Sequence, residues 1–313
     1  MIEAPLYEDI AGGPQGGVAH WLTTADDVRI RVATWHAPNP KGTVLVFPGR
    51  TEYIEKHGRT AKAFVERGFT CIAVDWRGQG IADRVHPDPA VGHVEKFTDY
   101  QHDVAAVMDH VAALDLPKPY FLVGHSMGGA IGLRAVMNGL DVNACGFSSP
   151  MWGVNAAPHV RAYGWIISWL AKTFGFTLRY APLQQELTYV LRDPFEGNTL
   201  TTDEASWNRL GDMVRKYPEM ALGGASMGFL YTTLRELRTL ASRPSPDMDC
   251  VTFMGTEEAI VDPGRIKSRM ANWPRGTLNI IEGAQHEMLM DTDKLRDQLI
   301  DGYTAVFEAN LTK

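Results

Sequence analysis

Three kinds of residue in this chain of 313 could do chemistry together: a serine set among glycines, a late histidine, and the carboxylates lying between them. The serine is Ser126, in Gly124-His125-Ser126-Met127-Gly128-Gly129. An apolar, β-prone run at 120–123 leads into it, and a helical pattern at 130–137 follows at once. Strand, sharp turn and helix with a serine at the turn is the local arrangement that presents a hydroxyl as a nucleophile. Side chains at the flanking glycines would collide with the neighbouring strand and helix, and strained backbone would lift the Ser126 Oγ clear of the sheet. The Met127 N–H, at the start of the helix, then points to where an oxyanion would form.

A serine hydroxyl needs a base, and the base needs an orienting acid. With the nucleophile on such a turn, the expected chain order is serine, carboxylate, histidine. Only His159 and His286 follow Ser126, and His286 lies in Glu282-Gly283-Ala284-Gln285-His286-Glu287, between the last strand pattern and the final helix. His286 is therefore the expected base. The acid belongs in the stretch 255–263, which offers Glu257, Glu258 and Asp262. Position favours Asp262, with Glu258 as the main rival. Asp262 also reads as the N-cap of a helix opened by Pro263, and Glu258 as a solvated loop charge. The second oxyanion donor is expected from Gly49-Arg50, as the backbone N–H of Arg50. The Arg50 side chain reads equally as solvated or as meeting a polar head group.

The elements that must position these residues alternate. A hairpin is expected from strands at 18–24 and 28–37. Strands at 43–47, 70–74, 120–124 and 144–149 then alternate with helices at 54–67, 97–114 and 130–137, which predicts an α/β fold with a mostly parallel, doubly wound sheet. The rhythm stops after Pro150 and returns with a strand at 251–254, a helix at 263–272, a strand at 277–281 and a helix at 291–310. The expected division is a core of 1–150 and 250–313 with a helical lid, 151–249, inserted between strands. Inserted there, the helices would lie over the carboxyl edge of the sheet. Trp152, Trp165, Trp169 and Met227 are its candidate lining for an acyl pocket.

A net charge of −7 argues against nucleic acid and against electrostatic attachment to anionic lipid. Cys71, Cys145 and Cys250 each lie in an apolar run without metal-ligand spacing, which fits buried thiols in a reducing, cytoplasmic setting. The N-terminus shows no secretion pattern, and the apolar window 164–176 is short and holds Lys172. His102 and His110 are eight residues apart, not at the spacing of a helical metal pair. Asp75-Trp76-Arg77-Gly78-Gln79-Gly80 lacks the ending of a phosphate loop. No cofactor or metal is expected.

Together the motifs resemble the α/β-hydrolases of the monoacylglycerol lipase and bacterial lysophospholipase group, over nearly all of 20–310. The resemblance rests on Gly124 to Gly129, on Asp75 to Gly80, on Gly255 with Asp262, and on Gly283 to Glu287. It implies an α/β-hydrolase fold with a lid, and a serine hydrolase using Ser126, His286 and Asp262. The substrate it implies is a small-molecule acyl ester or single-chain lipid, with at most peripheral membrane contact through the lid. A short-chain carboxylesterase or an acyltransferase on the same residues is the alternative; a non-catalytic binding protein would lack a triad member. Two departures stand out. Pro48-Gly49 replaces the group's His-Gly before the oxyanion donor, so the hydrogen bonds supporting that loop must differ. Ile81-Ala82 follows Gly80 where a serine is usual.

Overall fold

The computed structural model describes residues 1–312. Its strands are β1 (Ile2–Ala4), β2 (Val18–Thr23), β3 (Arg29–Trp35), β4 (Thr43–Phe47), β5 (Thr70–Asp75), β6 (Tyr120–His125), β7 (Ala144–Ser148), β8 (Asp249–Gly255) and β9 (Arg275–Ile281). Its helices are α1 (Glu8–Ala11), α2 (Gly58–Glu66), α3 (Tyr100–Ala113), α4 (Met127–Met137), α5 (Pro158–Thr173), α6 (Tyr189–Arg192), α7 (Glu204–Lys216), α8 (Met227–Ser242), α9 (Pro263–Ala271) and α10 (Asp293–Glu308). The hairpin pairs Val18 with Thr34, and a short extra strand, β1, joins its outer edge. The helix expected at 54–67 opens as a 3-10 turn, Ile54–His57, before α2 begins.

All nine strands form one sheet in the order β1-β2-β3-β5-β4-β6-β7-β8-β9. The first three run antiparallel; from β5 to β9 every pair is parallel. Strands β4, β5, β6 and β7 are buried along their whole length, as a sheet covered on both faces requires. The core accordingly splits in two. One half includes Leu45, Ile72, Leu122 and Phe147 with residues of α3, α4, α8 and α9; the other includes Val46, Ala73, Val123 and Phe253 with residues of α2 and α10. This is the expected α/β architecture, a mostly parallel sheet with helices on both faces.

Strand order reverses at β4, with β5 on one side and β6 on the other. Ligands of open α/β sheets bind outside the carboxyl ends of strands at such a reversal. The register brings Phe47 beside Gly124 and His125 beside Ser148, so the loops after β4, β6 and β7 emerge together. Gly255 pairs with Ile281, which places the loops after β8 and β9 next to each other.

Between β7 and β8 the chain forms α5, α6, α7 and α8. Helix α8 is capped by Ser226, whose Oγ accepts the Phe229 N–H at 3.0 Å. It docks on the core through a paired Arg134–Glu236 contact and through Thr232, which accepts the Phe97 N–H. Gly92 bonds the chain on both sides of Ala225, giving its N–H to Gly224 and accepting from Ser226. Trp207, Leu210, Met213 and Val214 of helix α7 join Tyr53, Val190, Leu200 and Met220 in a third, smaller core. Helix α5 packs on α8 and leaves Tyr163, Ile166 and Trp169 exposed. Among the described residues, no helix is long and apolar enough to cross a membrane. The three cysteines are free and buried.

Candidate active site

Ser126 occupies the turn from β6 into α4 with φ 49° and ψ −117°, a strained conformation for any side-chain-bearing residue. Surrounding contacts hold it there. Its N–H donates to the Ser148 carbonyl, and its own carbonyl accepts from Gly129 and Met151. Gly128 is required at its position, because a Cβ there would lie 1.9 Å from the Phe47 carbonyl oxygen. Among the described residues no protein acceptor takes the Met127 N–H, which leaves a free donor beside the serine at the helix start.

The serine Oγ lies 2.9 Å from His286 Nε2, and His286 Nδ1 lies 2.8 Å from Glu258 Oε2. All three side chains are buried. An ionised carboxylate only accepts, so Nδ1 carries the proton and Nε2 presents its lone pair to the serine hydroxyl. The other Glu258 oxygen accepts the N–H groups of Ile260 at 2.8 Å and Val261 at 3.0 Å. Burial alone would raise the Glu258 carboxyl, but the His286 hydrogen bond and charge, with the Val261 N–H, hold it down at about 2. This chain can pass a proton from serine to imidazole and stabilise the imidazolium that results.

Here the structure corrects the sequence reading. Asp262, expected to orient the histidine, caps α9 instead: Oδ1 accepts the Arg265 N–H at 3.2 Å and Oδ2 pairs with Arg161 at 3.1 Å. The reason lies in the loop after β8, which folds Glu258 back over its own turn and carries Asp262 on to the helix entrance. Asp-Pro was the available signal, since it marks a helix start.

The loop after β4 lies against the serine; a Cβ on Gly49 would stand 3.1 Å from that of Ser126. Pro48 has no N–H, the Gly49 N–H is taken by Glu52 Oε2, and the Thr51 N–H is taken by Gln79 Oε1 at 2.6 Å. Of the N–H groups of Gly49, Arg50 and Thr51, only that of Arg50 has no protein acceptor among the described residues. The Asp75-to-Gly80 motif supports the loop: Trp76 Nε1 donates to the Pro48 carbonyl at 3.0 Å. The Arg50 side chain is half-buried and, among the described residues, pairs with no carboxylate. Its Nη2 donates to the Gly223 carbonyl at 2.6 Å, the guanidinium lies over Phe229, and burial pushes it down to about 10.

A cavity of about 710 Å³ opens over Ser126 and His286. Met151, Val154, Leu200, Trp207, Ile260 and Val261 give it apolar walls. Arg192, Asp193, Glu196 and Thr199, all exposed, give it a polar margin. None of the four side chains expected as its lining is there. Trp152 is buried against Phe147 and Trp273, with Nε1 donating to the Gly129 carbonyl at 3.1 Å. Trp165 and Trp169 line a separate open groove between α5 and α8, and Met227 begins α8. The segment that does line the cavity, 184–200 with Trp207, carried no recognisable motif.

Glu52, His125 and Glu287 bring their ligand atoms within 4.8 Å of one another, a spacing that could hold a cation. The Lys56 ammonium already fills that electrostatic role, 2.7 Å from Glu52 and 2.9 Å from Glu287.

Comparison with known proteins agrees with this architecture. The family model described as serine aminopeptidase, S33, matches residues 38–293. Lysophospholipase L2 of Escherichia coli strain K12 is 26% identical over 284 residues, 88% of this chain and 83% of its own. The probable lysophospholipase L2 of Haemophilus influenzae is 27% identical over 282 residues, 87% of this chain and 86% of its own. Among solved structures, a soluble variant of monoglyceride lipase from Saccharomyces cerevisiae superimposes with a TM-score of 0.72 at 20% identity, covering 93% of this chain and 95% of that one. A carboxyl esterase from Bacillus coagulans gives a TM-score of 0.74 at 16% identity, covering 96% of this chain and all (100%) of the other.

Proposed function

The chain belongs to the serine aminopeptidase S33 family and is a hydrolase of the monoacylglycerol lipase and lysophospholipase-like group, and from that premise we propose that it cleaves carboxylic esters of single-chain acyl lipids, a lysophospholipid or a monoacylglycerol, through an acyl-enzyme on Ser126. The observation that carries the reading is the hydrogen-bonded chain Ser126–His286–Glu258 at the base of a cavity with apolar walls and a polar margin. His286 Nε2 takes the hydroxyl proton as Ser126 Oγ bonds to the ester carbonyl carbon. The Arg50 and Met127 N–H groups receive the oxyanion. His286 returns the proton to the leaving alcohol as the ester C–O bond breaks. Water then gives a proton to His286 as its oxygen bonds to the acyl carbon; the bond from that carbon to Ser126 Oγ breaks, His286 returns the proton to Oγ, and the fatty acid leaves. Glu258 keeps the imidazole in the working tautomer throughout. The inserted helices act as a lid in this reading. The apolar wall suits one acyl chain, and the margin of Arg192, Asp193, Glu196 and Thr199 suits a polar head.

The test is fatty-acid release from a lysophospholipid and a monoacylglycerol beside 4-nitrophenyl butyrate, with Ser126→Ala as control. Faster turnover of the long-chain lipids, lost in the variant, is expected. Turnover of the short ester alone would retire the lipid substrate, and activity persisting in Ser126→Ala would retire the nucleophile.

A further inference from the structure

An oxyanion hole works only if its donors are fixed before charge develops. The loop at 48–51 meets that demand through side-chain acceptors. Its N–H groups on either side of Arg50 are both consumed, by Glu52 and by Gln79. The peptide that carries the Arg50 N–H is thus pinned at both neighbours. Pro48 has neither a side-chain hydrogen bond nor an N–H to offer. A carboxylate from further along the loop takes over.

That carboxylate is buried and shared. Glu52 Oε2 accepts from Gly49 and from His57 Nε2 at 3.0 Å, while Oε1 lies 2.7 Å from the Lys56 ammonium. Lys56 reaches on to Glu287 Oε1 at 2.9 Å, and Glu287 is the residue after His286. Burial would raise the Glu52 carboxyl, but the Lys56 charge and the neighbouring imidazoles outweigh it and hold it well below the carboxylate range. Burial likewise opposes the Lys56 charge, and the two carboxylates outweigh it in turn. One ammonium therefore ties the loop after β4 to the loop after β9.

We infer that Glu52 is a positioning residue for the oxyanion hole, setting the Gly49–Arg50 peptide through the Gly49 N–H, and that Lys56 and Glu287 lock this setting to the loop of His286. The inference rests on the ester-hydrolase reading above. It requires Oε2 to hold the Gly49 N–H while Oε1 pairs with the Lys56 ammonium. A glutamine has one acceptor oxygen, so either Gly49 or Lys56 loses its partner. An aspartate keeps the charge but is one methylene short of bridging both.

The experiment compares wild type, Glu52→Gln, Glu52→Asp and Ser126→Ala on 4-nitrophenyl butyrate. It also measures inhibition by butylboronic acid, which adds to the Ser126 Oγ as a tetrahedral anion. In Glu52→Gln the Lys56–Glu287 pair survives as one cation with one anion, so Lys56 keeps a charged partner. Losing one oxyanion donor outright costs about 10²–10³-fold in kcat. Displacing one is expected to cost roughly 10–100-fold in both Glu52 variants. KM should stay within about twofold, and boronate affinity should fall by the same factor as kcat. Wild-type kcat in Glu52→Asp, or a kcat loss without a matching loss of boronate affinity, overturns the inference. So does failure of both variants to fold, because Glu52 would then hold the fold rather than the hole. Wild-type turnover by Ser126→Ala sinks the underlying reading instead.

Discussion

Replacing Glu258 by glutamine tests the site most directly, because the structure dictates how the amide must turn. Glu258 Oε1 accepts two backbone N–H groups, from Ile260 and Val261, and Oε2 accepts one proton from His286 Nδ1. A glutamine has one oxygen and one NH₂. The two backbone donors claim the oxygen, since an NH₂ facing them would leave three donors and no acceptor in a buried turn. The NH₂ then faces His286, and Nδ1 must become the acceptor. The ring proton moves to Nε2, where it confronts the serine hydroxyl at 2.9 Å, and the base can no longer take the serine proton. The comparable tautomer error in a serine protease costs about 10⁴-fold in kcat, equivalent to roughly 5 kcal/mol of transition-state stabilisation. Glu258→Gln is therefore expected to lose about 10³–10⁴-fold in kcat on 4-nitrophenyl butyrate while remaining folded. Asp262→Asn is the matched control. Asparagine caps helices as well as aspartate does, so kcat should change less than about threefold. A collapse of kcat in Asp262→Asn, with Glu258→Gln near wild type, would falsify the assignment of the acid to Glu258.

Two further outcomes follow from the buried charges. Arg31 pairs with Glu55 at 2.8 Å and Asp75 at 2.7 Å, all three side chains inaccessible, and Asp75 also holds the N–H groups of Ile54 and Ile81. Arg31→Met strands two buried carboxylates and should cost about 3–5 kcal/mol in urea unfolding; a loss under about 1 kcal/mol would contradict the pairing. Glu258, held down at about 2 against an ordinary 4.5, favours the native state in its ionised form. Its contribution is complete above the ordinary value and drains away as pH falls toward the native one. The stability gap between wild type and Glu258→Gln should thus shrink between pH 5 and pH 3, and a gap that widens on acidification would refute the sign.

The parts of this site that are legible in sequence are those made by neighbours in the chain. Ser126 is visible because its strand, turn and helix are contiguous, and His286 because it follows the last strand and precedes the last helix. Asp262 misleads for a local reason: aspartate before proline satisfies two demands at once, loop carboxylate and helix cap, and sequence order cannot say which one the fold uses. Glu258 is the rival that sequence offers, but its advantage depends on a side chain folding back over its own turn. The Lys56–Glu287 pair spans 231 residues, so nothing local announces it. The inserted helices were hardest to read. Large apolar residues are needed there for packing as well as for a ligand. Trp152 went to the core, and Trp165 and Trp169 to an outer groove.

The distribution of buried polar contacts suggests why chemistry and specificity are separable in this fold. The loops bearing the reacting groups are cross-braced to one another and to the sheet. Arg31 fixes the end of β5, Trp76 and Gln79 fix the loop after β4, and the Glu52–Lys56–Glu287 chain joins that loop to His286. Moving any one of them breaks a buried ion pair or strands a buried donor, at a cost of about 1–5 kcal/mol. The outer wall of the cavity is joined to those loops near its base, where Leu200 and Trp207 share a core with Tyr53. Residues 198–201 join the histidine loop through the Leu200 carbonyl, which accepts the Glu287 N–H at 2.7 Å, through Gln285 with Asn198, and through Thr201 with Asp291. Arg192 and Asp193 on the margin pair with each other, and among the described residues no hydrogen bond or ion pair joins them or Glu196 to the serine, the histidine or Glu258. Substitution at the margin should therefore change which head group is accepted, and so KM, without disturbing the proton path that sets kcat.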